Sequence, residues 1–184
     1  ARWACWIFGL VIEWLGPSMG FYTPGLGRST TNDWNVEGGH MAERCSLFII
    51  IALGESVLVT GSTFAGLAWT AENIAAMALS FIGSLAMWWL YFDRIAERGA
   101  RTMSHSADPG RLARLAYTYI HVVLVAGIIV GAVADEFVLA HPVGRAHEGT
   151  TLAVLGSAAL YLLGNLLFKW AIFGRLRPAH AVGL

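Results

Sequence analysis

Charge is scarce in this chain. Of its 184 residues 13% are charged, against about 25% in soluble domains, while 57% are hydrophobic and the mean hydropathy is +0.60. That composition belongs in a bilayer. Net charge is missing as well: twelve Lys and Arg balance twelve Asp and Glu, so the overall charge gives no reason to expect a nucleic-acid partner. Cysteine is limited to Cys5 and Cys45. Their expected depths lie in opposite halves of the membrane, which excludes a disulfide, and no metal-type cysteine spacing exists. There is no Gly-x-Ser-x-Gly elbow, no His-Glu-x-x-His, no phosphate loop and no dinucleotide fingerprint. The expectation is a protein that is not an enzyme, with no cofactor and no metal site. The opening run also lacks a charged n-region and a cleavage site, which argues against a signal peptide, and Ala1 is expected to lie inside a helix of a longer protein. No internal repeat is visible.

What is there is a succession of apolar runs. They predict an all-α, polytopic integral membrane helix bundle, a single membrane domain over 1–184 with four full spans and one partial one. The expected spans are 3–15 (partial), 40–66, 74–92, 112–138 and 151–173, the first being shorter than the 17 to 25 residues that a bilayer requires. Gly16-Pro17 closes the first run, and residues 18–39 have turn chemistry without helical period. Trp34 there is a candidate interfacial anchor, and Trp88, Trp89 and Tyr91 read as an aromatic belt at the end of the third span. Thr70 offers an N-cap, Asp108-Pro109 a cap followed by proline at the first helical position, and His141-Pro142 a break. Counted by alternate loops, ten of the twelve Lys and Arg fall on one side. By the positive-inside rule that side, with the C-terminus, faces the cytoplasm.

The second span organises the candidate chemistry. It opens with His40, Glu43 and Arg44, turns apolar, and then places Glu55 in the middle of the apolar run. Arg44 and Glu55 lie about 20° apart around the helix and about 16 Å apart along it, so Leu47, Ile51, Glu55, Leu58 and Ser62 continue one stripe. A carboxylate at this depth costs several kcal/mol facing lipid, which predicts that the stripe faces protein or water. Burial raises a carboxyl pKa and suits Glu55 to a proton relay or cation site. The alternative is a Glu that locks helices together through Ser56, Thr60 or Asn165. Glu43 and Arg44 can gate entry to this stripe, and His40 with Glu43 has the i, i+3 spacing of two metal ligands but lacks further ligands nearby. In the fourth span His121 and Asp135 lie about 40° apart around the axis and about 21 Å along it, the two ends of one polar face, with His121 equally readable as a core histidine. Gly127 and Gly131 between them, like Gly54 in the second span, are candidates for close helix packing. Asp93 with Arg94 reads as a solvated pair, and His141, His147 and Glu148 as a solvated loop able to collect an external cation.

Several runs resemble one family. Gly-Leu-Gly-Arg-Ser-Thr-Thr-Asn-Asp-Trp at 25–34, Glu-Gly-Gly-His-Met-Ala-Glu-Arg at 37–44, the run at 47–56 ending Ala-Leu-Gly-Glu-Ser, Trp-Trp-Leu-Tyr-Phe-Asp at 88–93, Ala-Tyr-Thr-Tyr-Ile-His at 116–121, Gly-Ile-Ile at 127–129 and Ala-His-Pro at 140–142 resemble, in content and order, the bacterial low temperature requirement protein A (LtrA) family. Met41 stands where that family commonly has Phe, and Glu13 where an acidic residue, more often Asp, is expected. Members are about twice as long, so the resemblance implies a C-terminal half of a multi-pass bacterial inner-membrane protein associated with growth in the cold. It brings no substrate and no catalytic residue. The combined expectation is a transporter or channel with Glu55 as its proton or cation site, or alternatively a non-transporting scaffold or sensor for cold and envelope adaptation. Expected partners are the lipid bilayer, the N-terminal half of the same protein and an unidentified small solute or ion.

Overall fold

The structure, a computed structural model, describes residues 2–93, 95–145 and 147–174. Among them there are helices and no strand, as the apolar runs predict. The elements are α1 (Arg2–Ser18), a short 3-10 turn (Thr31–Asp33), α2 (Gly38–Ala65), α3 (Ala71–Phe92), α4 (Ile95–Ser104), α5 (Pro109–Leu112), a π-helical stretch (Ala113–Ile120), α6 (His121–Ala140) and α7 (Glu148–Phe173). Four stretches are long and apolar enough to cross a membrane: Gly38–Ala65, Ala71–Ser104, Pro109–Ala140 and Glu148–Phe173. Polar side chains mark where they begin. The Thr70 hydroxyl accepts from the Asn73 amide at 3.3 Å, and the Asp108 carboxylate accepts from the Arg111 amide at 2.8 Å. Each satisfies an amide that a helix start leaves without a carbonyl partner.

The tightest helix pair is α6 against α7, and glycine is the reason. A Cβ at Gly127 would stand 2.8 Å from the Tyr161 backbone nitrogen, one at Gly131 2.9 Å from Ser157 Oγ, and one at Gly164 2.8 Å from the Leu124 side chain. With no solvent between membrane helices, such close van der Waals approach supplies much of the association energy. Two apolar clusters fill the space between α2, α3, α6 and α7. One lies at the α4 end of the bundle around Met103, Ala116, Tyr117 and Phe168. The other holds Ile49, Leu53, Tyr91, Leu124, Ile128 and Tyr161.

Three features depart from the sequence reading. Residues 95–104, for which the sequence predicts no element between the third and fourth spans, form the amphipathic helix α4. Gly99 and Met103 turn inward and Glu97, Arg98 and Arg101 outward, the 3.6-residue period of a surface helix. Arg94, expected to pair with Asp93, lies outside the described residues, as do Arg175 and Arg177 of the C-terminal charge count. The linker is also more ordered than its composition suggests. Asp33 accepts from the Thr30 amide at 2.7 Å and its hydroxyl at 2.9 Å, Thr31 donates to Asp108 at 2.8 Å, and Trp34 packs on Phe21 while donating to Ser29 Oγ at 3.2 Å. The partial first span, α1, buries none of its residues. It is held at its end by Tyr119 donating to the Trp14 carbonyl at 2.7 Å and Arg114 to the Pro17 carbonyl at 3.1 Å.

Candidate functional site

Polar side chains collect along the inner face of α6. At its start, His121 is buried and donates or accepts at both ring nitrogens: Nδ1 is 2.8 Å from the Ala116 carbonyl and Nε2 is 2.8 Å from the Tyr91 hydroxyl. A carbonyl only accepts, so Nδ1 carries a proton; when the ring is neutral, Tyr91 of α3 donates to Nε2, and when it is charged, Nε2 donates to the Tyr91 oxygen. The ring stacks on Tyr117 with centroids 5.4 Å apart and meets the edge of Phe168 of α7 at 5.2 Å. The π-helical stretch makes this geometry. Its i to i+5 register brings a carbonyl five residues back under the imidazole, and the same register carries Thr118 Oγ1 to the Ala113 carbonyl at 3.0 Å. π-helical turns inside α-helices are frequent at functional sites.

At the other end of the face Asp135 is half-buried. Its carboxylate meets the hydroxyl of Thr60 from α2 at 3.4 Å and that of Ser80 from α3. Thr60 has one proton, and the Ser56 carbonyl at 2.8 Å is the better acceptor for it, so the bond from Thr60 to Asp135 is the weaker of the two. The ion pair present among the described residues joins Arg101 and Glu97 at the surface. Asp135 therefore has no basic counter-charge there.

Between the two ends the interior stays polar. Tyr161 donates to the Met87 carbonyl at 2.6 Å, Ser157 to the Gly127 carbonyl at 2.9 Å, and Asn165 Nδ2 to the Tyr161 carbonyl at 2.9 Å. The Asn165 Oδ1 and Tyr117 hydroxyl are buried with no hydrogen-bond partner among the described residues. A cavity of about 480 Å³ opens between α3, α6 and α7, and Asp135, Ser80, Ser84, Ser157 and Tyr161 lie on its wall. Such a space beside a carboxylate and several hydroxyls can hold water or a small cation.

The residues expected to act together separate into two sets. His121 and Asp135 turn inward, as the ends of one face of α6. Glu55, His40, Glu43 and Arg44 are exposed on the outward side of α2. The predicted stripe from Leu47 through Ile51 and Glu55 to Leu58 is there, but it faces away from the bundle. The burial expected for Glu55 is thus not found within this chain, and its suggested partners Ser56, Thr60 and Asn165 are buried on the other side. The helix-packing glycines divide likewise: Gly127 and Gly131 sit at the α6–α7 contact, whereas nothing stands within 4 Å of a Cβ built at Gly54. Tyr91, read as a belt residue, is 1% exposed, while Trp88 and Trp89 are 41% and 62% exposed. The signal for Tyr91 was a small-residue face: Ala76, Ser80, Ser84 and Tyr91 are the buried residues of α3 and recur at helical spacing. The rings of His141 and His147 approach to 5.9 Å, and no group of three or more His, Cys, Asp or Glu able to hold a metal occurs among the described residues.

Four helices of spanning length around a polar interior define a polytopic helical membrane protein. The model of the family described as "Bacterial low temperature requirement A protein (LtrA)" matches residues 1–184, and the chain belongs to that family. It is 36% identical over 185 residues to a protein of Rhizobium meliloti (strain 1021) named "Uncharacterized protein RA0937", a match that covers 100% of this chain and 45% of that protein. The chain thus spans about half the length of that relative. No solved structure matches it.

Proposed function

We propose that the chain is part of a multi-pass transporter or channel of the bacterial inner membrane that moves protons or small cations along the inner face of α6. One observation carries the reading: His121 and Asp135, about 21 Å apart along one helix, both turn into the bundle, and hydroxyls, an amide and a cavity occupy the space between them. Ionisable groups at membrane depth are costly and commonly line ion or proton paths. The imidazole takes up a proton at Nε2 and returns it from the same nitrogen, on the side of the Tyr91 hydroxyl, while the Nδ1 proton stays on the Ala116 carbonyl and fixes the ring. A carboxylate with no basic neighbour among the described residues accepts a proton or holds a cation. The reading involves no catalytic step. The excess of Arg on the α4 side and in the C-terminal segment supports a cytoplasmic location for both. On this reading the activity serves growth at low temperature, a role that the family's name suggests.

A second reading has its own support. Tyr161, Ser157 and Cys45 each donate to a backbone carbonyl of another helix, the last at 3.4 Å to Tyr117, which is what a scaffold or sensor uses to keep helices in register. Asp135→Asn in the full-length protein separates the two. The path reading expects flux in liposomes to be lost while the melting temperature in detergent stays close to wild type. The scaffold reading expects the melting temperature to fall with no wild-type flux to lose.

A further inference from the structure

Two adjacent residues of α2 are unfavourable where they stand and find no compensating contact among the described residues. Glu55 sits about 26 Å along a helix about 42 Å long, near the middle of a span, exposed and without a partner among the described residues. A carboxylate there is strongly disfavoured against lipid. Gly54 beside it weakens the helix relative to alanine. At the contact between α6 and α7 a neighbour requires glycine, as Tyr161 does at Gly127 and Leu124 at Gly164. A Cβ at Gly54, at Gly61 one face further along, or at Gly83 across on α3 meets nothing within 4 Å. The surroundings are apolar and open. Ile51 and Leu58 are 66% and 69% exposed, and a groove of about 430 Å³ between α2 and α3 is lined by Gly54, Leu58, Phe81, Leu85 and Trp88.

The relative that matches all of this chain is matched over only 45% of its own length. More than half of such a polypeptide therefore lies beyond these helices, tethered to them and present at high effective concentration. A second copy is the poorer occupant. A two-fold contact through the middle of this face sets the same patch against itself and brings Glu55 towards Glu55 of the other copy.

We propose that the face of α2 bearing Gly54 and Glu55, with the groove beside it, seats a transmembrane helix from the remainder of the full-length polypeptide. That helix presents a cation or a hydrogen-bond donor to the Glu55 carboxylate. Its backbone approaches closely over Gly54 and Gly61, where the missing side chains leave room. The surface lies on the opposite side of α2 from Thr60 and the α6 path, and its test reads contact rather than flux.

The test uses the full-length protein with Cys5 and Cys45 replaced by Ser, bearing a nitroxide on Leu58→Cys and, separately, on Ile51→Cys, in lipid bilayers. Collision with oxygen at both sites is expected several-fold below that of a lone transmembrane peptide labelled at the same depth, and collision with a water-soluble nickel chelate is expected to be low. Oxygen collision equal to the peptide's puts lipid on this face and overturns the proposal. High nickel collision, which puts water there, overturns it too, as does spin–spin broadening that disappears when labelled protein is diluted with unlabelled protein, the mark of a second copy. An unlabelled variant gives an independent sign. Glu55→Leu lowers the melting temperature of the full-length protein if the carboxylate is partnered, and raising it contradicts the proposal.

Discussion

The imidazole of His121 is held on four sides, by Tyr91, Ala116, Tyr117 and Phe168, and this makes its stability role separable from any role in conduction. His121→Leu removes the acceptor for the buried Tyr91 hydroxyl and leaves it with Ser46 alone, and losing such a bond costs about 1 kcal/mol. Adding Tyr91→Phe removes the under-satisfied hydroxyl, so the double variant should lose less than the two single variants summed. Chemical denaturation of the four forms of the cycle measures it, and strictly additive losses would show that the two side chains are not coupled. Glycines give a second pair of opposite expectations. Gly127→Ala places a Cβ against the Tyr161 backbone, and such overpacking costs about 1–3 kcal/mol. Gly156→Ala in α7 has no neighbour within 4 Å, so the better helix propensity should stabilise by up to about 1 kcal/mol. Melting temperatures that move the same way in both would contradict the close α6–α7 contact. In the linker, hydrogen bonds from the Thr30 amide and hydroxyl hold the Asp33 carboxyl below its ordinary value of 3.8. A depressed folded-state value means that its contribution is fully present above that ordinary value and is lost as pH falls through the lower, folded-state one. Protection of the Thr30 amide, its exchange rate relative to that of an unstructured peptide at the same pH, should therefore fall in that acid range, and Asp33→Asn should remove that pH-dependent change in protection.

At the scale of elements, much was legible and the reasons for the rest are specific. The four long helices follow from apolar runs of sufficient length, and the starts at Thr70 and Asp108 from capping chemistry. The outward direction of Glu55 did not follow. α2 is apolar on both faces, with Ile49 and Leu53 buried and Leu47, Ile51 and Leu58 exposed, so periodicity identifies a stripe without saying which side the bundle takes. The π-helical stretch was equally out of reach, because it is a hydrogen-bond register and leaves no hydrophobic period of its own. It nevertheless decides the site, since it brings the Ala116 carbonyl under His121. Deleting Thr118 removes the extra residue that the wide turn accommodates, so the stretch returns towards α-helical register with α5 and α6 nearly in phase, while the Ala116 carbonyl and the Tyr117 ring lose their places against His121. The expected outcome is a protein with unchanged helix content by circular dichroism but loss of the buried tyrosine environment in its near-ultraviolet spectrum. An unaltered near-ultraviolet spectrum would contradict the register assignment.

For the whole molecule, the inner polar line and the outer face of α2 give the bundle two different sides. The inner line runs between His121 and Asp135, both within this chain, whereas the proposed partner of the Glu55 and Gly54 face lies in the rest of the polypeptide. The central claim is that the inner line conducts. The most direct measurement is proton and alkali-cation uptake, under imposed gradients, into liposomes holding the full-length protein, compared with empty liposomes and with liposomes holding Asp135→Asn or His121→Leu. The account predicts uptake above the empty vesicles for wild type and its loss when either end of the line is replaced in a protein that remains folded and inserted. Wild-type uptake no faster than that of empty vesicles, or uptake that survives both replacements, would contradict it.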